Sequence, residues 1–367
     1  MAISHLTGHP RIVASFAALL TSGFVGTLLA ARSVWGSPGT ARLYLVLWPF
    51  FVWWTVALFC LLLAPLVLVV RLVLAVPTNG LLVGGLGIAI LSAIMALRQT
   101  PRVRAHVISI DGLPAAFEGY RVAQISDLHC GPFASGARVS EWVAAVNRQN
   151  ADLVAVTGDL IASGSAFVPV VASALGQLKA RDGVFASMGN HDYFTGGASM
   201  VAALEGAGLT VLCNRGVDIH RQGNTIHVAG VDDTWTRRAD LERALAERRP
   251  GLPVILLAHD PELFPEAVQR GVDLTLSGHT HGGQLGLPFL SRKVNLARLL
   301  TPFTTGLYRR GTATLYVNRG LGTTGPPVRL GVPPEIAVFT LRRAVPATVE
   351  AKLRTPVPTE SSTLPAV

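Results

Sequence analysis

From Met1 to Arg104 the chain contains no aspartate or glutamate at all. Water-soluble surfaces intersperse both signs of charge, so a stretch of that length without one acid is not an ordinary soluble domain. Charge is sparse throughout: 14% of the 367 residues are charged, 50% are hydrophobic, and the mean hydropathy is +0.45. An average globular composition is thereby excluded. Cysteine is sparse too. Cys60, Cys130 and Cys213 offer no CxxC or CxH spacing, which excludes a disulfide framework and argues against a thiolate metal site. Cys130 reads as a small wall residue.

What fills the acid-free region is apolar. Ile12–Ala31, Leu43–Val70 and Leu81–Leu97 each read as a membrane span, since a bilayer core of about 30 Å needs roughly 20 apolar residues in a helix. A cleaved signal peptide at Ile12–Ala31 would still leave two anchors behind it, and no twin-arginine signal is present. Gly80 and Gly84 form a GxxxG spacing of the kind that packs helices together. The formal net charge of +9 raises the question of nucleic acid. Its location answers it: Arg11, Arg32, Arg42, Arg71, Arg98, Arg102 and Arg104 flank the apolar stretches, and the remaining 24 basic residues nearly balance 22 acidic ones. The basicity is topogenic, and no nucleic-acid partner is expected. With three spans, Arg32, Arg42, Arg98, Arg102 and Arg104 share a side with the rest of the chain against Arg11 and Arg71 on the other, which puts the larger part in the cytoplasm of a cell-membrane protein.

Beyond the membrane part, five polar clusters recur: Asp127-Leu-His129, Gly158-Asp159, Gly189-Asn190-His191-Asp192, Ala258-His259-Asp260 and Gly278-His279-Thr-His281. Each follows an apolar run that predicts a buried strand: Val122–Ile125, Leu153–Val156, Val184–Met188, Val254–Leu257 and Val272–Leu276. Side chains at the carboxyl ends of strands in an open α/β sheet converge on one point. Helical patterns at Ala137–Arg148, Val168–Lys179, Ala198–Ala207, Ala239–Arg248 and Pro261–Arg270 alternate with these strands. Thr225–Ala229, Thr314–Val317 and Ile336–Leu341 predict further strands, grouped as a second sheet. The expected organisation is a transmembrane helical region over residues 1–104, a catalytic domain over 105–343, and a disordered tail over 344–367, where Pro, Thr, Ser and Ala prevail without periodicity.

Singly, the clusters have plain readings. Asp127 and His129, two apart on an extended strand end, point the same way, but so does many an Asx turn beside a solvated histidine. Asp159 after a glycine is commonly a turn or cap, and Asn190 commonly tolerates left-handed geometry. His279 and His281, alternating on one extended segment among glycines, are harder to place as core histidines. Jointly, in this order and all at strand ends, the clusters amount to the ligand set of a two-metal hydrolase. The combination resembles the calcineurin-like metallophosphoesterase superfamily over roughly Val107–Arg342. Leu257-Ala-His259-Asp-Pro-Glu-Leu-Phe264, the run from Gly278 to Gln284, and Gly320 to Arg329 with Pro334-Glu335-Ile336 are similar to the membrane-associated branch that includes bacterial UDP-diacylglucosamine pyrophosphatases and cell-wall-associated phosphoesterases.

The resemblance implies an α/β, two-sheet αββα sandwich. It implies two divalent metal ions, with Asp127, His129 and His281 on the first, Asn190, His259 and His279 on the second, and Asp159 bridging them. His191 matches the catalytic histidine, which is not itself a ligand. Imidazole, carboxylate and amide donors without thiolate suit manganese, iron or zinc. One departure stands out: the family often carries an Asp three positions after the bridging one, and this chain has Ala162 there, which removes one supporting hydrogen bond. The expected reaction is hydrolysis of a phosphoester or pyrophosphate bond by a metal-bridging hydroxide, on a substrate that membrane helices would favour being lipid-linked. The competing readings are a nucleotide or nucleic-acid phosphodiesterase of the same superfamily, and a membrane scaffold that keeps the fold without catalysis. Oligomeric state is not legible.

Overall fold

A computed structural model describes residues 47–74, 78–97, 100–194, 196–287, 290–325 and 327–344. The expected span Ile12–Ala31 and nearly all of the expected tail lie outside those residues. Two apolar helices come first, α1 (Trp48–Leu74) and α2 (Thr78–Leu97). Within α1, Pro49–Arg71 is 23 residues long and apolar enough to cross a membrane, and only 12% of it is buried in the protein, unlike a core helix. α2 falls on the expected Leu81–Leu97 stretch; its apolar run Val83–Met95 is shorter than a full crossing. The helices pack antiparallel, with Phe59 against Ala89 and Ala93, and Val67 beside Gly85. Gly80 and Gly84 face open space, so the small residues at the contact are Gly85, Ala89 and Ala93, again spaced by four.

The strands that follow are β1 (Arg102–Ile110), β2 (Arg121–Ile125), β3 (Leu153–Thr157), β4 (Val184–Ser187), β5 (Thr210–Val211), β6 (Arg215–Arg221), β7 (Asn224–Gly230), β8 (Val254–Leu257), β9 (Leu274–Ser277), β10 (Gly306–Arg310), β11 (Ala313–Val317) and β12 (Glu335–Arg343). They form two six-stranded sheets, ordered β1-β12-β2-β3-β4-β5 and β10-β11-β9-β8-β7-β6. β2 to β5 are parallel, as are β7, β8, β9 and β11. Val122, Leu153, Phe185, Ile255, Leu274 and Phe339 lie in the core between the sheets. Helices α3 (Gly136–Asn147), α4 (Val168–Leu175) and α5 (Gly197–Gly206) cover the outer face of the first sheet, burying Trp142, Val171 and Leu204. The second sheet is covered by the turn at Leu241–Ala244 and by α6 (Phe264–Gln269). This is the two-sheet αββα architecture.

Ile336–Leu341 does not join the second sheet. As part of β12 it lies in the first, parallel to β1 and antiparallel to β2. Both faces of that position are apolar, and Ile336, Ala337, Val338, Phe339 and Leu341 are all buried there.

Candidate metal centre

Parallel pairing fixes the direction of every site-bearing strand. β2 and β3 end together at Ile125 and Thr157 in one sheet, and β8 and β9 end together at Leu257 and Ser277 in the other. The two sheets are tied just below that rim by Gln124, whose Nε2 donates to Thr157 Oγ1 at 2.9 Å and to the Ser277 carbonyl at 3.0 Å. The loops beyond the rim are then stitched to one another: Asp127 N donates to Gly158 O at 3.0 Å, His129 N to Asp159 O at 3.0 Å, and Gly278 N to His259 O at 3.0 Å.

Asp127, His129, Asp159, Asn190, His259, His279, His281 and His191 meet in one small volume at this rim. Asp127, His129 and His281 can direct donor atoms to a common point, and so can Asp159, His259 and His279. Asp159 lies between them, its Oδ2 3.6 Å from His129 Nε2 and 3.3 Å from His259 Nε2. His281 Nε2 is 2.9 Å from His129 Nε2 and 3.4 Å from Asp127 Oδ1. His259 Nδ1 lies 2.8 Å from the Thr157 carbonyl, which can only accept; that nitrogen therefore carries the hydrogen, and Nε2 is turned inward. The Asn190 Oδ1 atom is buried without a hydrogen-bond partner. An orphaned amide oxygen beside inward-facing imidazoles and carboxylates fits cations and little else.

The backbone departs from the extended conformation that would let Asp127 and His129, or His279 and His281, alternate along a strand. Asp127 (φ 51°), His129 (φ 45°), Asp159 (φ 54°), His279 (φ 69°) and His281 (φ 52°) are all left-handed. Each ligand sits on a tight turn just past its strand. Non-glycine residues pay for that geometry, and it persists where surrounding contacts over-determine it. Close approach does the rest: a Cβ at Gly278 would collide with Ser126 Oγ and Asp127 Oδ2, and one at Gly189 with the Asp159 carboxylate.

Burial governs the electrostatics. It raises the Asp127 pKa to about 6, with Asp159 adding to the rise and His259 opposing it. It lowers His129 to about 3 and His281 well below the ordinary histidine value. For Asp159 burial is outweighed by the charge and hydrogen bond of His259, and the carboxyl is held well below the usual range. His259 gains reciprocally: against burial, Asp159, Asp127 and the Thr157 carbonyl raise it to about 10.

His191 can also direct a donor atom to a point shared with His129 and Asp159. Its Nδ1 donates to the Ala162 carbonyl at 2.7 Å. Asp192, buried beside it, accepts from Leu160 N at 2.8 Å and Gly189 N at 2.9 Å and so pins the Asp159 loop to the Asn190 turn. Cys130 is buried and its thiol is pushed up to about 11, as suits a wall residue.

Three features were not singled out from the sequence. Arg329, buried, donates to the carbonyls of Gly322, Gly320, Val332 and His281 and lies 3.2 Å from His281 Nδ1. Trp235, 67% exposed, stands with its ring 5.2 Å from that of His279. Trp54 of α1 lines the same cleft of about 770 Å³ as Asp159 and His279. Only Arg329 had a visible signal, as a lone cation in an acid-free, glycine-rich run.

Fold and site together define a metal-dependent hydrolase with an intact set of dinuclear ligands. The sequence profile of the calcineurin-like phosphoesterases matches residues 120–283. A metallophosphoesterase of Bacillus subtilis, YkuE, is 33% identical over 246 residues, covering 65% of this chain and 84% of its own. The zebrafish "Transmembrane protein with metallophosphoesterase domain" is 36% identical over 260 residues, 67% of this chain; the match spans 58% of the zebrafish protein's length. Among solved structures, the NAD nucleotidase of Haemophilus influenzae aligns at 16% identity with a TM-score of 0.39, over 55% of this chain and 45% of that one. The chain belongs to the calcineurin-like phosphoesterase family.

Proposed function

We propose that this protein is a membrane-anchored phosphoesterase with two divalent cations. Asp127, His129 and His281 hold one, Asn190, His259 and His279 the other, and Asp159 is shared. The observation that carries this is the position of Asp159 Oδ2 between His129 Nε2 at 3.6 Å and His259 Nε2 at 3.3 Å. Manganese, iron or zinc suits this donor set. When bound, such a pair supplies a water of lowered pKa as nucleophile and charge to clamp the phosphoryl oxygens. His191, with Nδ1 committed to Ala162, keeps Nε2 for a proton at the leaving oxygen. No side-chain nucleophile is needed, and the raised thiol of Cys130 supplies none. The intact ligand set disfavours a purely structural scaffold.

For the substrate, the similarity to the UDP-diacylglucosamine pyrophosphatase branch and the apolar walls of the cleft support an amphipathic phosphoester or pyrophosphate. A nucleotide phosphodiester is the second reading, favoured by Trp235, whose exposed ring offers a base a stacking surface. The catalytic part is assigned to residues 105–343, anchored by α1 and α2. The full chain, chelated and then given Mn²⁺, should hydrolyse an aryl phosphodiester only in the presence of metal, and Asp159→Asn should lose the most activity. Full activity of chelated Asp159→Asn would overturn the two-cation reading.

A further inference from the structure

From Leu274 to Pro334 the chain again has no acid, while Arg292, Lys293, Arg298, Arg309, Arg310, Arg319 and Arg329 fall within it. Within it, the described residues 285–287 and 290–300 are held to one another by hydrogen bonds. Leu287 N donates to Val294 O at 2.9 Å, Asn295 Nδ2 to Ser291 O at 2.7 Å, and Arg298 N to Asn295 Oδ1 at 3.0 Å. They turn their aliphatic side chains outward: Leu287, Leu290, Val294 and Leu296 are half exposed, Leu299 is 83% exposed and Leu300 90%. Arg292, Lys293 and Arg298 are exposed among them. An isolated exposed leucine is unremarkable, but a contiguous set on a braced loop marks a contact surface.

The structure also indicates what covers it. Leu285 and Leu330 pack against a buried cluster made by Phe59 of α1, Ala89 and Ala93 of α2 and Val328 from a neighbouring loop, and Val56, Cys60 and Leu63 of α1 border the same cluster. Those α1 residues lie inside the apolar stretch Pro49–Arg71. Phe59 is ten residues past Pro49, which at 1.5 Å rise per residue is about 15 Å along the helix. A bilayer that accommodates the whole stretch therefore reaches the level at which the loop begins. Leucines beside cations are what an anionic leaflet accepts, side chains among the acyl chains and guanidinium and ammonium groups at the headgroups; exposed Glu262, which accepts from Thr301 Oγ1, borders this face on the cleft side.

We infer that the surface formed by Leu287, Leu290, Val294, Leu296, Leu299 and Leu300 is a second membrane contact, seated in the same leaflet as the N-terminal half of α1, and that it holds the mouth of the metal cleft against an anionic lipid surface. Leu285, Leu296, Leu300 and Trp54 line that cleft together with His279, so an apolar wall runs from the site to the loop. A phosphoester would reach the metals with its apolar part still in the leaflet. That last consequence rests on the phosphoesterase reading; the membrane seat does not.

The test uses the full chain in vesicles of phosphatidylcholine and phosphatidylglycerol, with a fluorophore on Leu299→Cys. Leu299 does not line the cleft, and its exposure makes the substitution mild. A label at Gln222→Cys serves as reference. It lies on the β6–β7 turn, at the end of the second sheet opposite the ligands. The unsubstituted chain gives the background from Cys60, Cys130 and Cys213. Acyl-chain nitroxides should quench the Leu299 label several-fold more than the reference, and aqueous iodide should quench it less. Iodide quenching equal to the reference would place the loop in water and overturn the proposal. Protection from both quenchers would overturn it in favour of a protein cover, a second copy included. A label on Leu290→Cys repeats the measurement should the first variant fold poorly, and because quenching needs no turnover the result is independent of the catalytic reading.

Discussion

We assign His191 and the histidines around it different roles, although His191 and His259 each give Nδ1 to a backbone carbonyl. His259 gives its Nδ1 hydrogen to Thr157 and turns Nε2 toward Asp159; His191 gives its Nδ1 hydrogen to Ala162 and belongs to the cleft wall beside Phe194. His191→Ala should therefore lower kcat by about 10²–10⁴-fold, the usual loss for an acid-base group, with metal content unchanged. His279→Ala should lose metal. Elemental analysis of the two purified variants beside their kinetics decides it, and equal metal loss in both would move His191 into the ligand set. The bond from His191 goes to the Ala162 backbone carbonyl, which any residue there would present, so it does not replace the side-chain bond that Ala162 lacks.

The ligands depend on elements that the sequence shows unevenly. β2, β3, β8 and β9 were legible because each is a short buried run cut off by polar residues, and their parallel pairing brings the cut ends together. β12 was legible as a strand but not in place, since sheet membership is set by pairing across more than two hundred residues rather than by local pattern. β1 was masked by Arg102 and Arg104, which read as a junction, though it is an edge strand on which Arg102 is exposed and Arg104 pairs with the buried Glu335 at 3.1 Å. Left-handed turns under Asp127, His129 and Asp159 were illegible for another reason: they are imposed by loops packed from elsewhere. One of those loops is Gly320–Gly322, where Leu321 N donates to Ser126 O at 3.0 Å and Gly322 N to Asp127 O at 2.7 Å. Arg329 clamps it from behind through the carbonyls of Gly320 and Gly322. Arg329→Met keeps bulk but removes those donors, at about 1–3 kcal/mol for each buried carbonyl left unpaired. The expected result is a melting temperature lower by several degrees and weaker metal retention, with Arg329→Lys intermediate because one ammonium cannot span the fork. Wild-type stability and metal content in Arg329→Met would show that the loop holds itself.

For the molecule as a whole, the two described helices form a hairpin, so the chain leaves α2 on the side from which it entered α1. Phe51 near the start of α1 meets Phe133 edge-on at 5.1 Å, and Leu97 at the end of α2 packs beside Leu285 and Leu330, so both ends of the hairpin lie at the catalytic part. Arg71 is at the far tip, while Arg102 and Arg104 open β1 at the near end, and Arg98 falls in sequence between α2 and β1. If Ile12–Ala31 crosses as its composition suggests, Arg32 and Arg42 join the near side and Arg11 the far one. Five arginines then face two, and the positive-inside rule supports a cytoplasmic catalytic part. A folded domain inserted by its first helix regardless of these few charges would answer the opposite way under the same test. Gln222→Cys, exposed and distant from the helices, should resist a membrane-impermeant thiol reagent in intact cells and react once the cells are opened, measured against the unsubstituted chain. Labelling in intact cells would put the metal centre on the outer face, and the phosphoester it meets would then be one of the envelope.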